Sequence, residues 1–536
     1  KIIKSQLLIA ADGKNSFIRK KAGIKTSKKS YNQKAFIFNV KHKKSHNNLA
    51  TENFLEHGPL ASLPIIQNKS KCYSSIVWSC NHPFYYKIIK YTKKDIEKKG
   101  VKYIYSNWID FLGSPKTKPM PISDFEDLCM GKGPQFAVHS VSFVPELTPA
   151  DNDQIPVPDL DSLVICPWDK TCAWVFADLY WNDKPYDVCP RMTLKKQIKE
   201  SAKSDLKFFV GIEPEFFLMK WEGDKPVKAI DRDPINLRRQ AFGYDSEYSI
   251  DGMHFLKEII DILNNDLKWD LHDVVAEGAY GQYELDFGYT DILGMADRFV
   301  FLRVLLKEVA KKYGYFVSFM PKTTISDWRA GAHINHSVAS IKKKNNNIYK
   351  NGNNFSDKAY NAVAGILKHG AAITALACPT VNSYNGFVPT VEGLDGGRHT
   401  WAPTHMTYGS NNRSAMIRLP QNRYCIENRA SDLTQNPYLT FSLLAAAVTE
   451  GIDKKMKPPK PTNKSLYDLT EKEKKEVTTL PRNLLEAVDA FAADKLTKKV
   501  FSEAMINNFI GYKYDEWSRY HTTTTDWEIK EYLKLF

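Results

Sequence analysis

No run of 18 apolar residues occurs in this 536-residue chain, so a simple membrane-spanning helix is not expected. The apolar part of KIIKSQLLIAADG is shorter than a secretory signal core, and no small-residue cleavage site follows it. Cysteine is sparse: the eight residues form no C-x-x-C pair and no framework spacing. That argues against a disulfide scaffold and fits a reducing, cytoplasmic setting. The net charge of +14 would suit an anionic partner. Its lysines, however, are spread along the chain rather than interleaved with aromatics, so no nucleic-acid partner is expected. A phosphate-cradling G-x-G-x-x-G is also absent.

What is present is a long globular chain with 43% hydrophobic residues, enough for two to four domains. Its organising stretch runs from Phe319 to Asp432 and contains FMPKTTISDWRAGAHINHS, VNSYNGFVPTVEG, NNRSAMIRLP and RYCIENRASD. Four arginines lie close together there, and each guanidinium offers a fixed fork of donors to phosphate or carboxylate. Upstream lie two acidic clusters, GIEPEFF (Gly211–Phe217) and AEGAYGQYELDF (Ala276–Phe287). In the first, strand-like alternation puts Glu213 and Glu215 on one side of a strand. Apolar neighbours favour a liganded pair there, because an unpaired buried carboxylate is costly. In the second, Glu277 and Glu284 bracket a glycine-containing turn. Carboxylates with one histidine make a hard, oxygen-rich site suited to Mg2+ or Mn2+. Metal beside an arginine cage is the chemistry of phosphoryl transfer.

From Tyr91 to Phe536, the order and spacing of these motifs resemble the glutamine synthetase family. WAPTHMTYGSNNRS and the ending DWEIKEYLKLF are most similar to the branch containing glutamate–methylamine ligases. The resemblance implies an α+β fold: a small β-grasp domain at residues 81–190, then a catalytic domain at 191–536 whose curved antiparallel sheet is flanked by helices. It implies that Glu213, Glu215, Glu277, Glu284, His333 and Glu427 hold the metal. It assigns Arg413, Arg418 and Arg429 to the transferring phosphoryl group and substrate, and Glu392 to a flap that takes a proton from the amine. Ser337, Arg418 and Arg423 fall near the nucleotide. Stacked rings with active sites between subunits are expected.

Several positions depart from the family pattern. The family's N-S-Y-K-R, whose arginine grips the α-carboxylate of glutamate, reads Asn382-Ser383-Tyr384-Asn385-Gly386 here. Arg398 is the candidate replacement, and Gly386→Arg paired with Asn385→Lys is expected to tighten glutamate binding if the backbone path is kept. Ala137 stands where many members place an ammonium-holding aspartate, with Asp153 a weaker substitute. Asn335 occupies the place of the second histidine, leaving His336 unassigned. Arg423 lies two residues before the usual nucleotide-contacting arginine, at Cys425. The tract Lys342–Asp357 reads as a surface loop.

Residues 1–80 belong elsewhere. LLIAADGKNSFIRKKAGI resembles the A-D-G-x-x-S-x-x-R segment of ubiquinone-biosynthesis-type FAD monooxygenases. Without the Gly-rich loop or the second flavin segment, this is an incomplete fragment, and no FAD is expected. The expected activity is an ATP-dependent ligase that joins the γ-carboxylate of glutamate to a small, methylamine-type amine through a γ-glutamyl phosphate. Glutamine synthesis from ammonia, or a non-catalytic ligase-like regulatory subunit, are the alternatives.

Overall fold

The computed structural model describes residues 17–24, 26, 33–43, 45–55, 58–67, 70–81, 93–129, 131–141, 147–182, 184–230, 243–323, 328–343, 346–387 and 401–535. The chain divides into two compact units, Lys1–Thr92 and Lys93–Phe536.

In the first unit a short helix, Phe17–Lys21, precedes four antiparallel strands. Their order across the sheet is Gln33–Lys41, Ser70–Asn81, Gly58–Gln67 and Thr51–Leu55. Ile37, Phe54 and Ile66 are exposed on it. The A-D-G-x-x-S part of the monooxygenase-like segment lies outside the described residues.

The second unit opens with the helix Lys93–Glu97 and a small sheet. Tyr103–Ile109 turns at Gly113 into the antiparallel Pro115–Pro121 and runs parallel to Cys172–Trp181. Gly113 has φ +85°, and a Cβ there would lie 2.8 Å from the Asn436 Cα, so both backbone and space require glycine. Asn436 Nδ2 donates to the carbonyls of Asp110 and Phe111 at 3.2 and 3.0 Å, tying this turn to the larger sheet's support. A second tie is Arg191, 1% exposed, which pairs with Asp159, Asp178 and Asp297 at 2.7–2.9 Å. Three carboxylates around one guanidinium satisfy its donor fork, and removing one side of such a buried network costs about 3–5 kcal/mol.

The large sheet is built on the strand Leu206–Glu222. Across it the order is Leu271–Ala276, Gln282–Phe287, Leu206–Glu222, Ala332–Ser340, Ile426–Asn428, Ala415–Leu419 and His405–Ser410. Every neighbouring pair along this path is antiparallel except the last. Period-two alternation sorts the side chains. Phe208, Val210, Ile212, Tyr283, Leu285, Ile334 and Val338 are buried in the core, where the helices Pro190–Lys203 and Ile292–Lys311 pack. Glu213, Glu284 and His333 consequently point to the other face. The apolar helix Pro437–Asp453 is buried behind, against Pro190–Lys203 and Asp357–Lys368. The fold is therefore α+β, with a mostly antiparallel sheet flanked by helices.

The Lys342–Asp357 tract is more than a loop. Asn346–Asn347 extends the Ala332–Ser340 strand, and Lys350–Asn351 pairs with Asn354–Phe355 as a hairpin. The cause is local: Gly352-Asn353 is the two-residue turn, and Gly352 at φ +59° in its first position is a hairpin signal that composition alone hides.

Candidate active site

Strand register brings the acidic residues together. Glu213 faces His333 across one ladder, and Glu215 faces Glu284 across the other. His333 Nδ1 lies 3.2 Å from Glu213 Oε2, and Nε2 lies 3.8 Å from Glu215 Oε1. Gln282 Nε2 donates to Glu215 Oε2 at 3.0 Å, and Asn335 Nδ2 donates to Glu213 Oε1 at 2.9 Å. Ligand atoms of Glu213, Glu284 and His333 all lie within 4.8 Å of one another.

The electrostatics of this cluster are uneven. Burial, with the neighbouring charge of Glu277, pushes Glu215 up to about 8. Burial and the charges of Glu215, Glu277 and Glu213 push Glu284 well above the carboxylate range. Glu277 is also raised, by burial first, against the pull of Arg429. Burial works against the Glu213 charge too, but His333, Arg423 and Arg429 outweigh it and hold Glu213 down at about 2. His333 is lowered by burial and by Arg429, which favours the neutral ring that can ligate. Carboxylates held this close and this dry repel one another, and a divalent cation at their centre removes that cost. The donor set of carboxylates plus one imidazole fits such a cation.

The arginines form a second group on the next strands. Glu427, fully buried, is opposite both Asn335 and Arg418. Its Oε2 accepts from Arg418 at 2.7 Å and its Oε1 from Arg429 at 2.6 Å. Arg418 also donates twice to Asn411 Oδ1, at 3.0 and 2.7 Å. Arg429 reaches the carbonyls of Arg413 and Trp401, at 3.0 and 3.2 Å. Arg413 stands beside these two, its guanidinium lowered by burial and by their charges. Arg423 turns the other way: it donates to Glu213 Oε1 at 3.0 Å and to Asn335 Oδ1 at 3.3 Å. Glu427 thus sits one strand away from the carboxylate–histidine cluster with both oxygens engaged.

Ser337 lies on the same face as His333 and Asn335, opposite Phe209. His336, on the other face, is fully buried in the core with its ring edge-on to Tyr349. Alternation alone decides that Asn335, and not His336, belongs to the site. Glu392 and Arg398 lie outside the described residues. Ala137 precedes the short turn Val138–Ser140, and Asp153 is exposed.

Gly386 holds a finding the motif comparison did not contain. A Cβ there would lie 2.5 Å from the Cβ of Arg329 and 2.6 Å from its Cδ. The Arg329 guanidinium is buried and fully engaged: it donates to the carbonyls of Ser383 and Ser431 at 3.2 and 3.0 Å, and to Asp432 Oδ2 at 2.9 Å. The expectation that arginine at Gly386 tightens glutamate binding is therefore overturned, because Arg329 already fills the space. Arg329 was visible in the sequence as the one arginine in DWRAGAH, but its partner at Gly386 is 57 residues away. Asp286 was also passed over. It follows Glu284 by two residues, so it shares that face, and burial with the charges of Glu213 and Asp273 pushes it up to about 7.

The family model for the glutamine synthetase catalytic domain matches residues 187–532. The chain is 32% identical over 455 residues to the glutamate–methylamine ligase of Methyloversatilis universalis, covering 82% of this chain and 98% of that protein. It is equally 32% identical over 459 residues to the glutamine synthetase of Methanococcus voltae, with the same coverage of 82% and 98%. A solved structure described as a GmaS/ADP complex superposes with a TM-score of 0.75 at 30% identity, covering 83% of this chain and 100% of the other. An apo GmaS structure without ligand gives 0.74 at 28%, with the same coverage. The chain belongs to the glutamine synthetase family.

Proposed function

We propose that this protein joins the γ-carboxylate of glutamate to methylamine or a similarly small alkylamine, using ATP with Mg2+ or Mn2+. Its family makes it an ATP-dependent carbon–nitrogen ligase. The observation that carries the reading is the half-buried Glu213–His333–Glu284 cluster beside the Arg418–Glu427–Arg429 row. Likeness over 82% of the chain to a glutamate–methylamine ligase supports the choice of amine. So does Ala137, because an alkylamine needs space rather than an added carboxylate around its substituent.

In the proposed reaction a γ-carboxylate oxygen of glutamate attacks the γ-phosphorus of ATP. The bond to the β-phosphate oxygen breaks, giving γ-glutamyl phosphate and ADP. The amine nitrogen then attacks the acyl carbon, phosphate leaves, and Glu392 takes the proton that nitrogen loses. Glu213, Glu215, Glu277, Glu284, His333 and Glu427 would hold the metal. When bound, divalent cations neutralise phosphate oxygens and align the in-line transfer. Arg413, Arg418 and Arg429 present fixed donors where charge develops, in a site already desolvated. Ser337 and Arg423 would contact the nucleotide. Glutamine formation from ammonia is the second reading, favoured by the equal likeness to glutamine synthetases.

The test is ADP release with glutamate and a panel of ammonium, methylamine and ethylamine. The expected result is a kcat/KM for methylamine at least about tenfold above that for ammonium, a difference of about 1.4 kcal/mol. The reverse order establishes the second reading, and no ADP release with any amine overturns both.

A further inference from the structure

Away from the carboxylate cluster, a cavity of about 280 Å³ opens where several helix ends meet: Asp357–Lys368, Gly370–Ala377, Pro437–Asp453 and Leu484–Ala493. At its floor is His369, 5% exposed, between two carboxylates. Nδ1 lies 2.7 Å from Asp494 Oδ2 and Nε2 lies 2.6 Å from Glu450 Oε2. Both nitrogens face carboxylate oxygens, which fixes the orientation of the ring between Asp494 and Glu450. Glu450 is matched further by Lys368, at 3.1 Å from Oε1, and by Lys454.

Charge at this place does not balance. Lys368 and Lys454 already match the two carboxylates, Glu450 and Asp494, in number. Lys495 and Lys499 line the same cavity, and neither forms an ion pair among the described residues. Four ammonium groups against two carboxylates leave the cavity at about +2. A concave wall of one sign concentrates counter-ions.

We propose that this cavity is a binding site for a compact oxyanion carrying two or more charges, a phosphate or a small polycarboxylate. Its volume is below the roughly 300–1,000 Å³ of sites for drug-sized ligands, which leaves no room for a nucleoside triphosphate. Lysine ammonium groups on flexible stems act as point charges, so the site selects charge and size more than shape. His369 and its two carboxylates provide the rigid floor, and Lys495 and Lys499 provide the mobile rim.

The test is calorimetric titration of inorganic phosphate, and separately of citrate, into the full chain at constant ionic strength set with chloride. Wild type is compared with the Lys495→Gln/Lys499→Gln double variant. Neither lysine belongs to the ligase site, so phosphate bound there contributes equally to both proteins. The expected result is one additional anion per subunit in wild type, weakened about tenfold or more in the double variant. A response to phosphate alone assigns a phosphate ligand, and a response to citrate alone a carboxylate. Equal stoichiometry and affinity in both proteins for both anions overturns the proposal, whatever the amine assay shows.

Discussion

Glu213 and His333 are cross-strand partners, directly opposite on adjacent antiparallel strands, with carboxylate and imidazole 3.2 Å apart. Backbone register, and not loop closure, sets that approach. The site is therefore as rigid as the sheet that carries it, which is what an oriented metal–phosphate arrangement requires.

Glu284 separates the demands of catalysis from those of stability. Its carboxyl sits in a buried, like-charged cluster that makes ionisation costly. Glu284→Gln should abolish amide formation yet raise the melting temperature in chelator by a few degrees. Glu213→Ala should likewise abolish turnover while the protein still assembles. Turnover near wild type in both variants, at saturating Mg2+ and Mn2+, would falsify the metal assignment.

Removing residues 1–80 should leave ligase activity and assembly intact, because the catalytic sheet lies wholly within the unit that begins at Lys93. Purified full-length protein should show no flavin absorbance. Lost activity on deletion, or stoichiometric FAD in the preparation, contradicts this.

The substrate carboxylate needs a partner other than position 386. Arg398→Ala should raise the glutamate KM about ten- to a hundredfold, as expected for a lost charge-assisted bond of about 1.5–3 kcal/mol, with ATP affinity nearly unchanged. An unchanged KM means another residue holds the carboxylate.

His336 makes acid stability measurable. Burial lowers its pKa from 6.5 to about 3, offset in part by the Ile426 backbone. The folded value is depressed below the unfolded one, so the unfolded chain binds the proton first as pH falls. This contribution is fully present above about pH 6.5 and is lost progressively towards pH 3, at up to about 1.4 kcal/mol per pH unit. Urea unfolding should therefore show a steeper loss for wild type than for His336→Leu in this window. Parallel curves rule the histidine out as the cause.

Much of this site was legible because strands write their geometry with a period of two. Glu213 and Glu215, alternating within an apolar run, announced their shared face, whereas Asp286, two residues after Glu284 and subject to the same rule, was passed over. The same rule separates Asn335 from its neighbour His336. What could not be read were relationships set by tertiary approach. Nothing local says that Arg423 turns back to Glu213, or that Glu427 spends both oxygens on arginines. The hairpin after Lys342 was missed for a different reason: its Gly352-Asn353 turn was hidden in a tract whose composition reads as solvent-exposed loop.

Arg329 and Gly386 interlock so closely that neither can be exchanged alone. A methyl group added at Gly386 meets the Arg329 side chain at 2.5 Å, an overlap of the kind that costs about 1–3 kcal/mol when a core is overfilled. Truncating Arg329 strips Asp432 of its buried partner, at about 3–5 kcal/mol. Each single change is harmful, and the overlap disappears only when both positions change. The two positions are therefore expected to be coupled, so that a double-mutant cycle gives a non-zero interaction energy. A mutational scan that tests one position at a time will score both as intolerant without revealing that they share one contact.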